Sequence, residues 1–168
     1  MHPAPSIILF TTLSGLGYGL AAVLGFGLLD PSAIATKLAH ILALALIAGG
    51  LMSSTLHLGN PQRAWRAFSQ WRSSWLSREG VMAVLTFVPL GINAIASVWS
   101  GSYLPLPGIL GAIFCGVTVF CTAMIYASLR SVQAWNTGWT PVSYLLFALA
   151  GGLALASFFS ALGGNAHP

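Results

Sequence analysis

Charge is almost absent from this sequence. Of 168 residues, six are Lys or Arg and two are Asp or Glu, while 57% are hydrophobic. Soluble domains carry roughly a quarter charged residues. So few charged side chains cannot clothe the surface of a water-soluble fold of this length. Six basic residues are also too few for a broad nucleic-acid-binding face, and their excess over acids reads instead as topology information. Cysteine is scarce too. Cys115 and Cys121 lie in one apolar run, and on a helix their spacing is about 9 Å of rise and about 240° of rotation. That excludes a mutual disulfide, and the pair is no CxxC motif. No polar linker is long enough to separate domains, so residues 1–168 read as a single membrane domain.

What the sequence has is long apolar runs. Five of them, near residues 7–29, 32–58, 80–99, 108–129 and 141–162, reach the roughly 20 helical residues that cross a bilayer. The expected fold is therefore an all-α bundle of about five transmembrane helices. Asp30-Pro31 and Thr140-Pro141 read as helix starts, a capping side chain followed by a first-turn proline. Ala33-Ile34-Ala35 resembles a signal-peptide cleavage site. The apolar run before it is too long and no Lys or Arg precedes it, so the first helix is expected to be retained. That helix carries Gly15, Gly19, Val23 and Gly27 on one ridge and Gly17, Ala21 and Gly25 on another. Small residues four apart let helix backbones approach closely in lipid.

The link between the second and third runs stands apart. Arg63, Arg66, Arg72 and Arg78 fall within it, with Glu79 at its end. Asn60-Pro61 marks a helix start, and Trp65, Phe68, Arg72 and Trp75 recur at roughly helical spacing. The expectation is a short helix lying in the interface, with tryptophans among the headgroups and arginines in water or on a partner. Arg130 lies in the fourth-to-fifth link, on the same side. The positive-inside rule then places residues 59–79 in the cytoplasm.

Few ionisable groups remain that could carry chemistry. His57, at the end of the second run, and Glu79, at the start of the third, are expected to face each other across one shallow pocket beside Arg78 and Trp75. A histidine titrates near neutrality, and a carboxylate beside it can pass protons to water. Haem is the first alternative. His40 and His57 are about 25 Å apart along one helix and cannot share an iron. Each would need a partner at its own depth, and Met52, Met82 or Met124 could serve in a His/Met pair. A small transporter is the second alternative. It usually shows charge or a broken helix at midplane, whereas here only Ser53, Ser54, Thr55 and Asn93 add polarity to the helix middles. No cluster of metal ligands and no catalytic residue is assigned.

The run His57-Leu58-Gly59-Asn60-Pro61, then Arg63-Ala64-Trp65-Arg66, then Ser74-Trp75-Leu76-Ser77-Arg78-Glu79, resembles the DMSO-reductase anchor-subunit family. Met124-Ile125-Tyr126-Ala127-Ser128-Leu129-Arg130 is similar to it as well. The opening Met1-His2-Pro3-Ala4 with Ser14-Gly15-Leu16-Gly17-Tyr18-Gly19 is similar to the branch linked to cytoplasmic sulfite dehydrogenases. The resemblance implies a haem-free helical subunit of a bacterial inner membrane. Such a subunit anchors a molybdopterin catalytic subunit and an iron–sulfur subunit, and exchanges electrons with quinone or quinol. It implies that His57 and Glu79 lie at the quinone site; the charge and aromatic pattern of the link adds the expectation that Arg78 and Trp75 stand beside them and that Arg63, Arg66 and Arg72 dock the partner. Family members usually have more membrane helices, about eight against about five here, so a shortened subunit or a fragment is expected. In the well-known DMSO-reductase arrangement the link lies outside the cytoplasm. The arginines here argue for the inside, as in the sulfite-dehydrogenase branch.

Overall fold

The computed structural model describes residues 5–55, 65–66 and 68–163. Among these residues all regular structure is helical. The helices are α1 (Pro5–Gly25), α2 (Ile34–Thr55), α3 (Trp75–Ile95), α4 (Pro105–Ala127) and α5 (Trp139–Leu162). A single π-helical stretch, Ala96–Ser100, extends α3. Each of the five is long and apolar enough to cross a bilayer. The links at residues 26–33 and 101–104 lie at one end of the bundle, and the segments at 68–74 and 128–138 at the other.

The central helix is α1, which packs against α2, α4 and α5, while α3 packs mainly on α4. Its glycines divide the work. Gly17 faces Ala43 and Ile47 of α2, Gly19 faces Ala148 and Gly152 of α5, and Gly25 faces Gly108 and Ala112 of α4. At each contact an added Cβ would meet backbone atoms closer than 3 Å. Lipid tails are as apolar as leucine, so helices in a bilayer gain little from hiding apolar faces. They associate through close van der Waals packing, which these glycines permit. The buried core of Tyr18, Leu20, Leu24, Ile47, Leu90 and Cys115 clusters around this seam. Cys115 and Cys121 are both buried free thiols.

Local chemistry sets the helix ends, with shifts from the sequence reading. Helix α1 stops at Gly25, because Gly27 takes a left-handed φ of 68° under the Tyr103 ring, and Tyr103 Oη donates to Gly25 O at 2.8 Å. Asp30 does not cap α2 directly. Its Oδ1 accepts from Ser32 N at 2.9 Å and Ser32 Oγ at 2.7 Å, a local turn that delays the helix to Ile34. Pro105 opens α4, three residues before the expected start, as a first-turn proline.

The larger correction is at α3, which begins at Trp75 rather than Gly80. Ser74 is its N-cap, accepting from Ser77 N at 3.5 Å. The described part of the preceding link is 3₁₀-helical at Trp65, Arg66 and Phe68 and a succession of turns over residues 69–73. It is held by Ser69 N→Arg66 O and by Ser73 N and Ser74 N→Gln70 O. The Asn60-Pro61 start expected for that helix lies outside the described residues.

Candidate functional site

Starting α3 at Trp75 puts Trp75, Arg78 and Glu79 in its first two turns. Glu79 points into the bundle and is 4% exposed. Its Oε1 accepts a 2.5 Å hydrogen bond from Thr122 Oγ1 on α4. The same Thr122 oxygen lies 3.1 Å from Thr118 O. Farther along both helices, Thr86 Oγ1 and Thr118 Oγ1 are 3.0 Å apart. A ladder of hydroxyls thus lines the α3–α4 seam beneath the carboxylate. An ionisable side chain buried in a membrane bundle is costly unless paired and marks a functional site by default.

Arg78 does not hold Glu79. Its Nε donates to Trp71 O at 3.0 Å and its second guanidinium nitrogen to Arg72 O at 2.7 Å. Its guanidinium carbon stands 4.2 Å from the Trp75 ring centre, a cation–π contact. The reason is geometric. Neighbours on a helix point about 100° apart, so Glu79 turned toward α4 leaves Arg78 toward the link. Trp75, four residues before Glu79, also meets α4, edge-on to Phe120 at 6.0 Å. Phe68 folds back to within reach of Gly80, so the link lies over the start of α3. Arg66 and Arg72 are exposed, each resting near its neighbouring tryptophan ring, Trp65 or Trp71. His57 and Arg63 lie outside the described residues. His40 is buried on α2 toward the opposite end of the bundle.

Thr122 also belongs to a cavity of about 370 Å³ between α1, α4 and α5. Thr11, Ser14, Tyr18, Thr122, Tyr144 and Phe147 are among its walls. The Tyr18 hydroxyl is buried with no hydrogen-bond partner. Tyr144 is stacked on Tyr126 at 5.6 Å, and Trp135 closes edge-on against Tyr126 at 5.5 Å. The sequence reading passes over Tyr18, Thr122 and Tyr144. Only the spacing of Thr118 and Thr122, four apart in an apolar run, signals a polar stripe on one helix face.

Residues 1–166 match the family described as DMSO reductase anchor subunit (DmsC). The protein is 38% identical to the C subunit of the sulfite dehydrogenase of Allochromatium vinosum, over 98% of its own length and 57% of that relative. It is 29% identical to the C chain of the anaerobic dimethyl sulfoxide reductase of Escherichia coli, over 71% of its own length and 42% of that relative. It is 26% identical to the C chain of the anaerobic dimethyl sulfoxide reductase of Haemophilus influenzae, over 89% of its own length and 56% of that relative. The chain thus spans about half the length of these relatives. No solved structure matches it significantly. With five membrane-crossing helices, a family match along its whole length and a relative this similar, the chain belongs to the DMSO reductase anchor subunit family.

Proposed function

We propose that this chain is the quinone-exchanging membrane anchor of a molybdopterin oxidoreductase complex, of sulfite dehydrogenase or DMSO reductase type. It holds a molybdopterin catalytic subunit and an iron–sulfur subunit at the membrane and carries no haem. Electrons pass between the iron–sulfur subunit and the quinone pool. Converting quinone to quinol takes up two electrons and two protons, and the reverse releases them. The electrons belong to the partner's clusters, and the protons need titratable groups within hydrogen-bond reach of the quinone oxygens.

The observation that carries this reading is Glu79, a carboxylate buried in the first turns of α3 and bonded to Thr122. It lies at the bundle end that carries the arginine-rich link. His57, which follows α2 in the sequence, is the second proton-carrying group of this reading. Trp75 and Arg78 brace the link over α3, and Arg63, Arg66 and Arg72 present positive charge to the iron–sulfur subunit. The test compares two activities of the assembled complex, one with a quinone analogue and one with a dye that meets the catalytic subunit directly. His57→Ala is expected to suppress the first and spare the second. Equal rates with quinone in variant and parent would remove His57 from the site. Loss of both activities would make it a structural residue.

Orientation has its own test. Arg63, Arg66 and Arg72 in the second-to-third link, Arg78 in the first turn of α3 and Arg130 on the same side support a cytoplasmic position for that link in a bacterial cell, beneath its inner membrane. Gln70 is exposed in that link. In a background with Cys115 and Cys121 replaced, Gln70→Cys should resist an impermeant thiol reagent in intact cells and react in inverted vesicles. Ready labelling of intact cells would reverse the orientation and move the catalytic partners to the outer face.

A further inference from the structure

We infer that the cavity between α1, α4 and α5 is the seat of an isoprenoid quinone head, entered sideways from the lipid, with Tyr18 and Tyr144 as hydroxyl donors to its oxygens. The inference rests on the proposed quinone exchange and adds a place and residues that the proposed proton groups His57 and Glu79 do not supply.

The shape comes first. A volume of about 370 Å³ falls within the roughly 300–1,000 Å³ of small-molecule sites. Thr122 and Tyr144 each lie five residues from the end of their helix on the arginine-rich side, so both sit about 8 Å deep. Tyr18 is rooted farther along α1, and helical side chains lean toward the N-terminus of their helix. That lean carries its ring toward the same level. The wall is buried at Ser14, Tyr18 and Ala148, whereas Thr12 and Phe147, which also border the cavity, face outward. Phe147 is 78% exposed. The opening is therefore lateral, between α1 and α5, where a lipid-borne molecule arrives without crossing water.

The chemistry then narrows the occupant. None of the described residues lining the cavity is charged, which disfavours a phosphate headgroup. Thr11 donates to Ile7 O, Ser14 to Phe10 O and Thr122 to Glu79. Each of these hydroxyls has one proton and an acceptor for it already. Thr12, which faces outward, and the phenols of Tyr18 and Tyr144 are the wall's remaining hydroxyl donors, and the phenols are the ones set inside it. The Tyr18 hydroxyl is buried and unpaired, and a buried donor left without an acceptor is destabilising. A neutral, flat molecule with carbonyl oxygens on its rim satisfies this wall, its ring packing against Tyr144 and Phe147. Thr122 connects the same wall to Glu79.

Gly15 supplies the test. It borders the cavity, and an added Cβ there meets nothing within 4 Å. Gly15→Leu should fill the site without forcing helices apart. Gly116, equally open but outside the wall, is the control. Membranes containing the full chain with its partner subunits are illuminated with a short-tailed azidoquinone, and the labelled peptides are mapped. Label is expected on α1 and α5 and should be competed by unlabelled ubiquinone. Gly15→Leu should reduce it at least about tenfold, and Gly116→Leu should leave it unchanged. Tyr18→Phe, which keeps the ring, should weaken it roughly 3- to 10-fold, the size of one net hydrogen bond. Competable label confined to residues 65–74 and indifferent to Gly15→Leu would overturn the cavity and leave the anchor reading intact. An azido-phospholipid that labels the cavity without competition from quinone would make it a lipid site. No quinone-competable label anywhere on the chain would sink both readings.

Discussion

Glu79→Gln should lower quinone-linked turnover by roughly 10²–10⁴-fold, the usual contribution of a positioned acid–base group, and leave dye-linked turnover of the complex unchanged. The substitution is chosen for its geometry. Glutamine keeps an oxygen where Thr122 Oγ1 now donates at 2.5 Å, so the α3–α4 seam keeps its hydrogen bond and the bundle its packing. What disappears is the ability to take up and release a proton. Thr122→Val separates the two roles from the other side. It leaves the carboxyl in place without this partner, at a cost of roughly 1–3 kcal/mol, and Thr122→Ser should restore most of the loss. Glu79→Gln membranes that oxidise or reduce the quinone analogue at the parental rate would show that the carboxyl only staples two helices together.

Gly19→Val should abolish accumulation of the folded protein. A Cβ at Gly19 would fall onto Ala148 O, and one at Gly152 would fall onto Gly19 C, both far inside contact distance. Both obstacles are backbone, which cannot swing aside as the tip of a side chain can. The α1–α5 contact would have to open along its length, and overpacking of that kind typically costs roughly 1–3 kcal/mol and sometimes more. Here the expected loss is at the upper end or beyond, since close approach is the main attraction between helices in lipid. Gly49→Ala is the counterpart, because its Cβ meets nothing within 4 Å. It should be neutral or stabilise by roughly 0.5–1 kcal/mol, the ordinary penalty of a mid-helix glycine. Thermal unfolding in detergent and the yield of monodisperse protein read both variants. A Gly19→Val protein that purifies and melts like its parent would show that α5 is not seated on α1 as described.

The five helices are legible in the sequence because length and hydropathy alone specify a crossing segment. The glycine ridges of α1 are legible too, though not their partners. Small-residue spacing says that a backbone can approach, without saying which helix does so. Only the folded arrangement assigns Gly17 to α2, Gly19 to α5 and Gly25 to α4. The start of α3 is misread because Gly80 looks like a boundary after a charged residue, whereas Ser74 supplies the cap well before it. That shift turns Glu79 inward and Arg78 outward. The acid stands out in the sequence by its rarity, but its partner does not. Thr122 lies 43 residues away, and nothing local ties the two together. The cavity is illegible for the same reason, since Tyr18, Thr122 and Tyr144 come from three helices whose facing sides depend on those glycine contacts.

The position of Thr122 between two acceptors has a consequence for speed. A hydroxyl has a single proton to give. With Glu79 charged, Oγ1 gives it to the carboxylate at 2.5 Å. Once Glu79 takes up a proton, the acid donates to Oγ1, and the threonine turns its own proton to Thr118 O at 3.1 Å. In both states the Glu79–Thr122 hydrogen bond persists with every heavy atom where it was. Charging and discharging a group inside an apolar bundle ordinarily requires its surroundings to rearrange, and preorganised dipoles remove that requirement. Here the rearrangement reduces to the rotation of one O–H bond. In the proposed quinone chemistry, the carboxyl would gain and lose its proton without waiting for a helix to move.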